Sequence, residues 1–555
     1  MTKPRISAII GIVFVGLGLY IQSLSFDIVN LDDKKYIFDN LAFNSHFGNI
    51  IEAFKHDADY PSGVSSYYRP IQVLSHILDA NIGGASPLWY HLTNILIHIG
   101  TAVLLYLTLL QLGNSEVLAF AATLLFAAHP ATVGAVSWIP GRVDLITAFF
   151  ILFSFLAFLR FLDTGKKKYF VCHAGTFMMA LFTKELALIF PALLCLYIAG
   201  EKENKPRKSR WVLILLTWVL IILLWSVLWQ SALAGTPKPS PITIIKAIRS
   251  NVAYVIIALG KMLLPFNISA LPTLQNANFV WGALTLLLLG ALFFFSKQKI
   301  TSQIIFGALW TIGFLLPSLY TDDPTSVPIF MEHRLYLPLI GFFMIVLNSK
   351  WIQNIQKNKK IFITAVTILL GLYASLAIAH EKHFKNAVTF WEHAAASSPA
   401  LPKAYIGLGI TYQQLGNMEK ATEEYEKAVK LNPTEQLVNN NLGWLYLSGG
   451  NYEKAAVAYR RELSINPNNI DATINLGASY YAQKTNYLET KILWEQAALA
   501  RPGSIRVHEY LAIYYYEHEN NIEKTIHHIE EIIKLGGNLQ PGLQKLYAQY
   551  RKNSI

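Results

Sequence analysis

The sequence predicts an all-α protein in two parts: a polytopic helical membrane domain over 1–379 and a solenoid of paired helices over 380–555. Three observations predict it. Hydrophobic residues make up 53% of the 555 and charged residues only 15%, with mean hydropathy +0.35, too apolar for a soluble chain of this size. Apolar runs of membrane-crossing length recur up to Ala379. After Ala379 the composition turns polar and a 34-residue period sets in, with Pro399, Pro433 and Pro467 in one register and Gly409, Gly443 and Gly477 in another.

The first apolar run, 6–25, stands behind Lys3 and Arg5. Ser23-Leu24-Ser25 offers a cleavage-like spacing, but the run is longer than a signal core and many more follow, so it reads as an uncleaved anchor. Further spans are expected near 89–111, 117–138, 144–162, 169–183, 186–199, 211–230, 279–295, 304–320, 335–348 and 361–379, eleven in all with the first. Lysine and arginine cluster at 166–168, 202–210, 297–299 and 350–360. All four clusters fall on the cytoplasmic side if Met1 is cytoplasmic and 247–265 does not cross. Lys246, Arg249 and Lys261 interrupt that segment and Pro265 ends it, so it is laid on the outer face as an interfacial or re-entrant helix. The first loop 26–88, the segments 231–278 and 321–334, and everything after 379 then share the outer face, the working face.

The net charge of +11 is spread over short loops between apolar runs, so it reads as a topology signal rather than a nucleic-acid surface. Cys172 and Cys195 both lie in apolar stretches, which leaves no disulfide framework or thiolate metal site. No zinc-spaced Cys/His cluster, Gly-rich phosphate loop or Gly-x-Ser-x-Gly elbow occurs, so nucleotide chemistry is not expected.

The polar part carries the tetratricopeptide pattern of two antiparallel helices per repeat. Leu-Gly pairs stand at 408, 442 and 476, with Tyr412, Tyr446 and Tyr480, Ala421 and Ala455, and Tyr425 and Tyr459 in matching register. A half repeat with Ala387, Trp391 and Ala394 precedes it, and beyond Lys484 the register slips, as capping repeats do. The concave face of such a solenoid suits an extended chain.

Candidate site residues all fall on the outer side of this topology. Asp32 and Asp33 follow the first span directly, where a poorly solvated carboxylate suits the removal of a proton from a substrate hydroxyl. The pair could also hold a divalent cation. Tyr67-Tyr68-Arg69-Pro70 offers an Arg fork for a phosphate beside rings at headgroup depth. His91, Asn94 and His98 share a helix face. His129-Pro130, Gly141-Arg142-Val143-Asp144, Lys184-Glu185 and Glu332-His333-Arg334-Leu335-Tyr336 mark further outer turns.

In order along the chain, and followed by the repeats, these motifs resemble the membrane glycosyltransferases of the GT-C class, and within them the transmembrane and tetratricopeptide-repeat O-mannosyltransferases and their bacterial relatives. The resemblance rests on Asp32-Asp33 with Tyr36 and Asn40, Tyr68-Arg69-Pro70, His91 with Asn94 and His98, His129-Pro130, Arg142 with Asp144, Lys184-Glu185 and Arg334-Leu335-Tyr336-Leu337-Pro338. It implies transfer of a mannose-like hexose from a polyprenyl-phosphate carrier to Ser or Thr hydroxyls of exported proteins, at the periplasmic face of a cell (inner) membrane. An acid of the first loop would be the base, a role carried to Asp33 with Asp32 next. Arg69, Arg142 and Arg334 would compensate the leaving phosphate, and Tyr68, His91, Asn94, His129, Asp144, Lys184, Glu185, Glu332 and Tyr336 complete the substrate-binding set. The chain departs from the eukaryotic pattern in Ala131-Thr132-Val133-Gly134 after His129-Pro130.

Asn441 and Asn475, each directly before a Leu-Gly pair, resemble the asparagine ladder of the soluble O-GlcNAc transferases and are expected to hold the acceptor backbone. Two other readings remain open: an enzyme of the same fold that glycosylates a lipid or surface glycan, and a non-enzymatic membrane-anchored repeat scaffold for envelope assembly.

Overall fold

The computed structural model describes residues 3–553, apart from 64, 201–207, 237–239, 267, 275–277, 296, 298–299, 321–328 and 436–437. It divides into two compact units, Met1–Pro399 and Ala400–Ile555.

In the first unit, and among the described residues, six helices are long and apolar enough to cross a bilayer: Arg5–Ser25, Pro87–Gln111, Ile139–Thr164, Ser209–Ala232, Ser302–Leu319 and Lys359–Phe384. Three further helix pairs pass the same test only when joined across a sharp bend, so length and composition support six to nine crossings rather than eleven. The bends explain the difference. The run expected at 117–138 breaks by 55° between Glu116–Ala127 and Pro130–Ser137, where Pro130 has no N–H to continue the helix. The runs at 169–183 and 186–199 are the helix Lys167–Thr183 and the short apolar segment Glu185–Gly200, parted by Lys184 in extended conformation. Each is shorter than the ~20 residues that span hydrocarbon. The segment laid on the surface at 247–265 forms two helices, Ile242–Ser250 and Tyr254–Leu263, bent by 56°.

Close helix contact in this unit relies on small residues. A Cβ on Gly307 would stand 2.8 Å from the Gly341 carbonyl and one on Gly341 2.5 Å from the Gly307 carbonyl, so Ser302–Leu315 and Tyr336–Leu347 touch backbone to backbone.

The first loop is a folded cap. Lys35–Asp39 and Leu41–Asn44 lead through two short turns to the helix Pro70–Gly83, whose start is set by Pro70 in the first turn, where its missing N–H costs nothing. Ala53, Val73 and Ile77 form its small core with Phe43 and Ile50, while Ile37 is buried with Tyr90 and Ile139. The cap is thereby fixed to the helix Pro87–Gln111 and to the turn before Arg142.

The residues read as a half repeat group with the first unit. Ala387–Ser397, started by a capping box of Asn386 and Thr389, is tied back by Ser397 Oγ to Ser269 Oγ at 2.6 Å and by Ser398 Oγ donating to the Leu271 carbonyl at 2.7 Å. The compact division falls after Pro399, beyond the change of composition at Ala379.

The second unit is the expected α-solenoid. Its hairpins are Pro402–Gln414 with Met418–Leu431, Val438–Ser448 with Tyr452–Ile465, Ile470–Ala482 with Tyr487–Ala500, and Ile505–Glu517 with Ile522–Lys534, followed by Pro541–Asn553. Asn417, Asn451 and Asn521 cap the second helices through their side chains. The register slip beyond Lys484 is absorbed at Lys484 and Asn486, both with positive φ, where earlier repeats use Gly416 and Gly450. Helix pairing continues past it. The period-34 glycines are sites of close approach: a Cβ would come within 2.6 Å of the Tyr425 ring at Gly409, 2.9 Å of Tyr459 at Gly443 and 2.5 Å of Trp494 at Gly477.

Candidate active site

Asp32 and Asp33 follow the first helix across a short turn, and the backbone separates their fates. Asp32 is exposed, whereas Asp33 is 1% exposed and its Oδ2 accepts a hydrogen bond from Trp138 Nε1 at 3.2 Å. Burial, and then the neighbouring charge of Asp32, push the Asp33 carboxyl up to about 7, against the hydrogen bond from Trp138, which favours the charged form. A carboxylate balanced near neutrality can take a proton from a hydroxyl. Among the described residues no group of three His, Cys, Asp or Glu gathers at Asp32 and Asp33.

Trp138 links this acid to a charged cluster. Its ring lies 5.2 Å from that of His333, whose Nε2 is 3.7 Å from Asp144 Oδ2, and Lys184 Nζ donates to Asp144 Oδ1 at 2.8 Å. Arg69 adds a second cation, 3.7 Å from Glu185. Its guanidinium lies 4.1 Å over the Tyr67 ring, and its Nε is buried without a hydrogen-bond partner. Tyr36 stacks on His76, with Asp59 and Arg69 in electrostatic reach of its hydroxyl. Two cations, one of them with an unspent N–H, fit an anionic group.

Other expected site residues serve as internal struts. Arg142 is fully buried and makes four hydrogen bonds: Nε to Asn94 Oδ1, Nη1 to Ser75 and Asp79, and Nη2 to the Tyr90 carbonyl. Asn94 in turn donates to the Val136 carbonyl at 3.0 Å. These two side chains clamp Pro70–Gly83 and Pro87–Gln111 to the 133–142 segment, and the hydrogen bonds they make are internal to the fold. Tyr68 is likewise buried, with its hydroxyl on the Phe54 carbonyl at 2.8 Å, so Tyr67 and not Tyr68 backs Arg69. Tyr336 is fully buried and its hydroxyl meets His98 Nδ1 at 2.6 Å, a bond between helices.

His129 joins the Met262 carbonyl at 3.2 Å, Glu332 pairs with Lys261 and the Ser269 N–H, and Arg334 Nη1 donates to the Ser318 carbonyl at 2.7 Å. His91 is buried with neither ring nitrogen bonded. In the second unit Asn475 is 6% exposed and turned to Tyr459, and Asn441 donates to the Tyr425 hydroxyl at 3.5 Å. Each amide faces a tyrosine of the preceding hairpin. Trp138 is not among the expected site residues: directly before Ile139-Pro140-Gly141-Arg142 it reads in sequence as one more interfacial aromatic, whereas Tyr67 is expected as one of two rings beside Arg69 and His333 stands in its turn without a role.

Comparison with known proteins agrees with both halves of this picture. Tetratricopeptide repeat family models match residues 402–435 and 424–456, and a TPR repeat model matches 443–484. Protein O-mannosyl-transferase TMTC1 of Mus musculus is 38% identical over 99 residues, 18% of this chain and 10% of that protein. Protein O-mannosyl-transferase TMTC2 of Homo sapiens is 32% identical over 162 residues, 27% of this chain and 18% of that protein. A protein O-mannosyl-transferase of Caenorhabditis elegans is 22% identical over 439 residues, 75% of this chain and 61% of that protein. The matches thus span less than two thirds of the relatives' own length, and they bear out the resemblance to TMTC-type proteins. Among solved structures, MamA from Desulfovibrio magneticus aligns with 27% of this chain and 84% of its own, at 19% identity and a TM-score of 0.26.

Proposed function

We propose that the chain is a membrane glycosyltransferase that moves a mannose-like hexose from a polyprenyl-phosphate carrier to Ser or Thr hydroxyls of exported proteins, with inversion. The observation that carries this reading is the buried Asp33, held near neutrality and joined through Trp138 and His333 to the Asp144–Lys184 pair. The protein O-mannosyl-transferases among its relatives support the choice of sugar and of acceptor.

Asp33 takes the hydroxyl proton as the acceptor oxygen bonds to the anomeric carbon. The bond from that carbon to the carrier phosphate breaks from the opposite face, and the phosphate leaves with the electron pair. Arg69 and Lys184 meet its growing charge, an electrostatic contribution of roughly 3 kcal/mol for one well-placed donor. The site lies on the extracytoplasmic side, where the repeats hold the acceptor protein through their concave surface rather than through Asn441 and Asn475 alone.

The test is transfer from a synthetic polyprenyl-phosphate-mannose to an exported-protein acceptor by the detergent-purified chain, compared with Asp33→Asn. The variant should bind donor normally and turn over roughly 10²–10⁴ times more slowly. Near-normal transfer by Asp33→Asn would remove Asp33 from the mechanism, and sugar appearing only on lipid or glycan would replace the protein acceptor.

A further inference from the structure

We infer that His380, His383 and His393 form a binding site for a zinc-class divalent transition metal ion, apart from the acid and phosphate groups above. His380 lies in the last turn of Lys359–Glu381, His383 in the following turn Lys382–Phe384, and His393 on Ala387–Ser397, which folds back against them. One ring nitrogen from each lies within 4.8 Å of the others. His383 and His393 stack at 3.6 Å with their planes 8° apart, and His380 stands edge-on to both.

Two further observations point to a ligand. His393 Nε2 is buried without a hydrogen-bond partner, while the same ring is hydrogen-bonded to the Ile268 backbone. A metal-ligating imidazole has this arrangement: a carbonyl fixes one nitrogen and leaves the other's lone pair for the ion. Lys261 is in electrostatic reach of His380, but its charge is paired with Glu332.

An all-imidazole set selects among cations. Magnesium and calcium require oxygen ligands, whereas zinc, cobalt, nickel and copper accept nitrogen. At a Zn–N distance of 2.0–2.1 Å, tetrahedral nitrogens lie about 3.3 Å apart. The parallel lone pairs of His383 and His393 do not converge, so one ring turns about its χ angles to close the site. Three ligands leave a fourth position for water. The ion would staple the end of the last apolar helix to Ala387–Ser397, beside Glu381, whose carboxylate accepts from Ser137, the neighbour of Trp138.

The experiment uses the full chain in detergent, stripped with chelator and titrated with Co²⁺ alone. We expect one Co²⁺ per chain with the visible bands of a tetrahedral nitrogen site, displaced by Zn²⁺, and a Zn²⁺-dependent rise in melting temperature. His383→Ala and His393→Asn should each weaken Co²⁺ binding at least tenfold and abolish the thermal shift. His508→Ala, which removes a member of the separate His508–His528 contact in the repeats, should leave both readouts intact. His383 and His393 are both only part-buried, and His393→Asn, the replacement closer in size and polarity, is the variant expected to fold should His383→Ala not. The absence of saturable tetrahedral binding, or binding unchanged in a folded His393→Asn chain, would overturn the inference.

Discussion

Replacing Trp138 with Phe keeps an aromatic ring beside His333 and removes one hydrogen bond, Nε1 to Asp33 Oδ2 at 3.2 Å. That bond favours the carboxylate, against burial and Asp32, which favour the acid. A hydrogen bond to a charged group is worth about 1.5–3 kcal/mol, or about one to two pH units of titration. Starting from about 7, the carboxyl of the variant would titrate about one to two units higher. At pH 7 its ionised fraction would fall from about one half to about 1–10%, so turnover would drop roughly 5- to 50-fold. The sign is definite: a base with a raised pKa is recovered by raising the pH. The rate of sugar transfer, measured against pH with saturating donor, should therefore rise through about pH 7 in the parent chain and rise later in Trp138→Phe, with the two curves meeting at high pH. Asp32→Asn should move the limb the other way. Superimposable profiles, or a loss of equal size at every pH, would refute Asp33 as the titrating base.

The same burial predicts that the acid costs stability. A carboxyl held at about 7 instead of the ordinary 3.8 disfavours folding as pH rises through that window, by on the order of 4 kcal/mol once fully ionised. Asp33→Asn should accordingly melt higher than the parent at pH 8 but not at pH 4, and equal melting at both would deny the burial its electrostatic consequence. Arg69→Lys loses the planar fork and its stack on Tyr67, so the KM for the polyprenyl-phosphate donor should rise roughly tenfold for one charge-assisted hydrogen bond, and an unchanged KM would exclude a phosphate contact. In the repeats, Gly443→Ala drives a methyl to 2.9 Å from the buried Tyr459 ring and should cost about 1–3 kcal/mol by thermal unfolding. Gly542→Ala, which meets nothing within 4 Å, serves as the neutral control, and equal effects of the two would disprove the close contact.

The two-part architecture was legible in the sequence because its signals are local. A 34-residue period, glycines at helix crossings and apolar runs bounded by lysines are properties of short windows, and the repeats appear where the period puts them. The acid pair was legible for the same reason, standing directly after the first apolar run. The bends that reduce the crossings had a sign in Pro130, but apolar length alone overrode it. What only the tertiary structure decided is the employment of each polar side chain. Arg69 and Arg142 look alike in sequence, both beside turns at the ends of apolar helices. One meets Asp79, Ser75, Asn94 and the Tyr90 carbonyl and is spent inside the bundle, while the other keeps a buried N–H unpaired over Tyr67. Trp138 and Asp33 are 105 residues apart, and nothing local to either announces their bond. A buried polar group must find its partner wherever packing brings one. Partnership is thus a non-local property, settled only when the cap, the broken helix and the bundle close on one another.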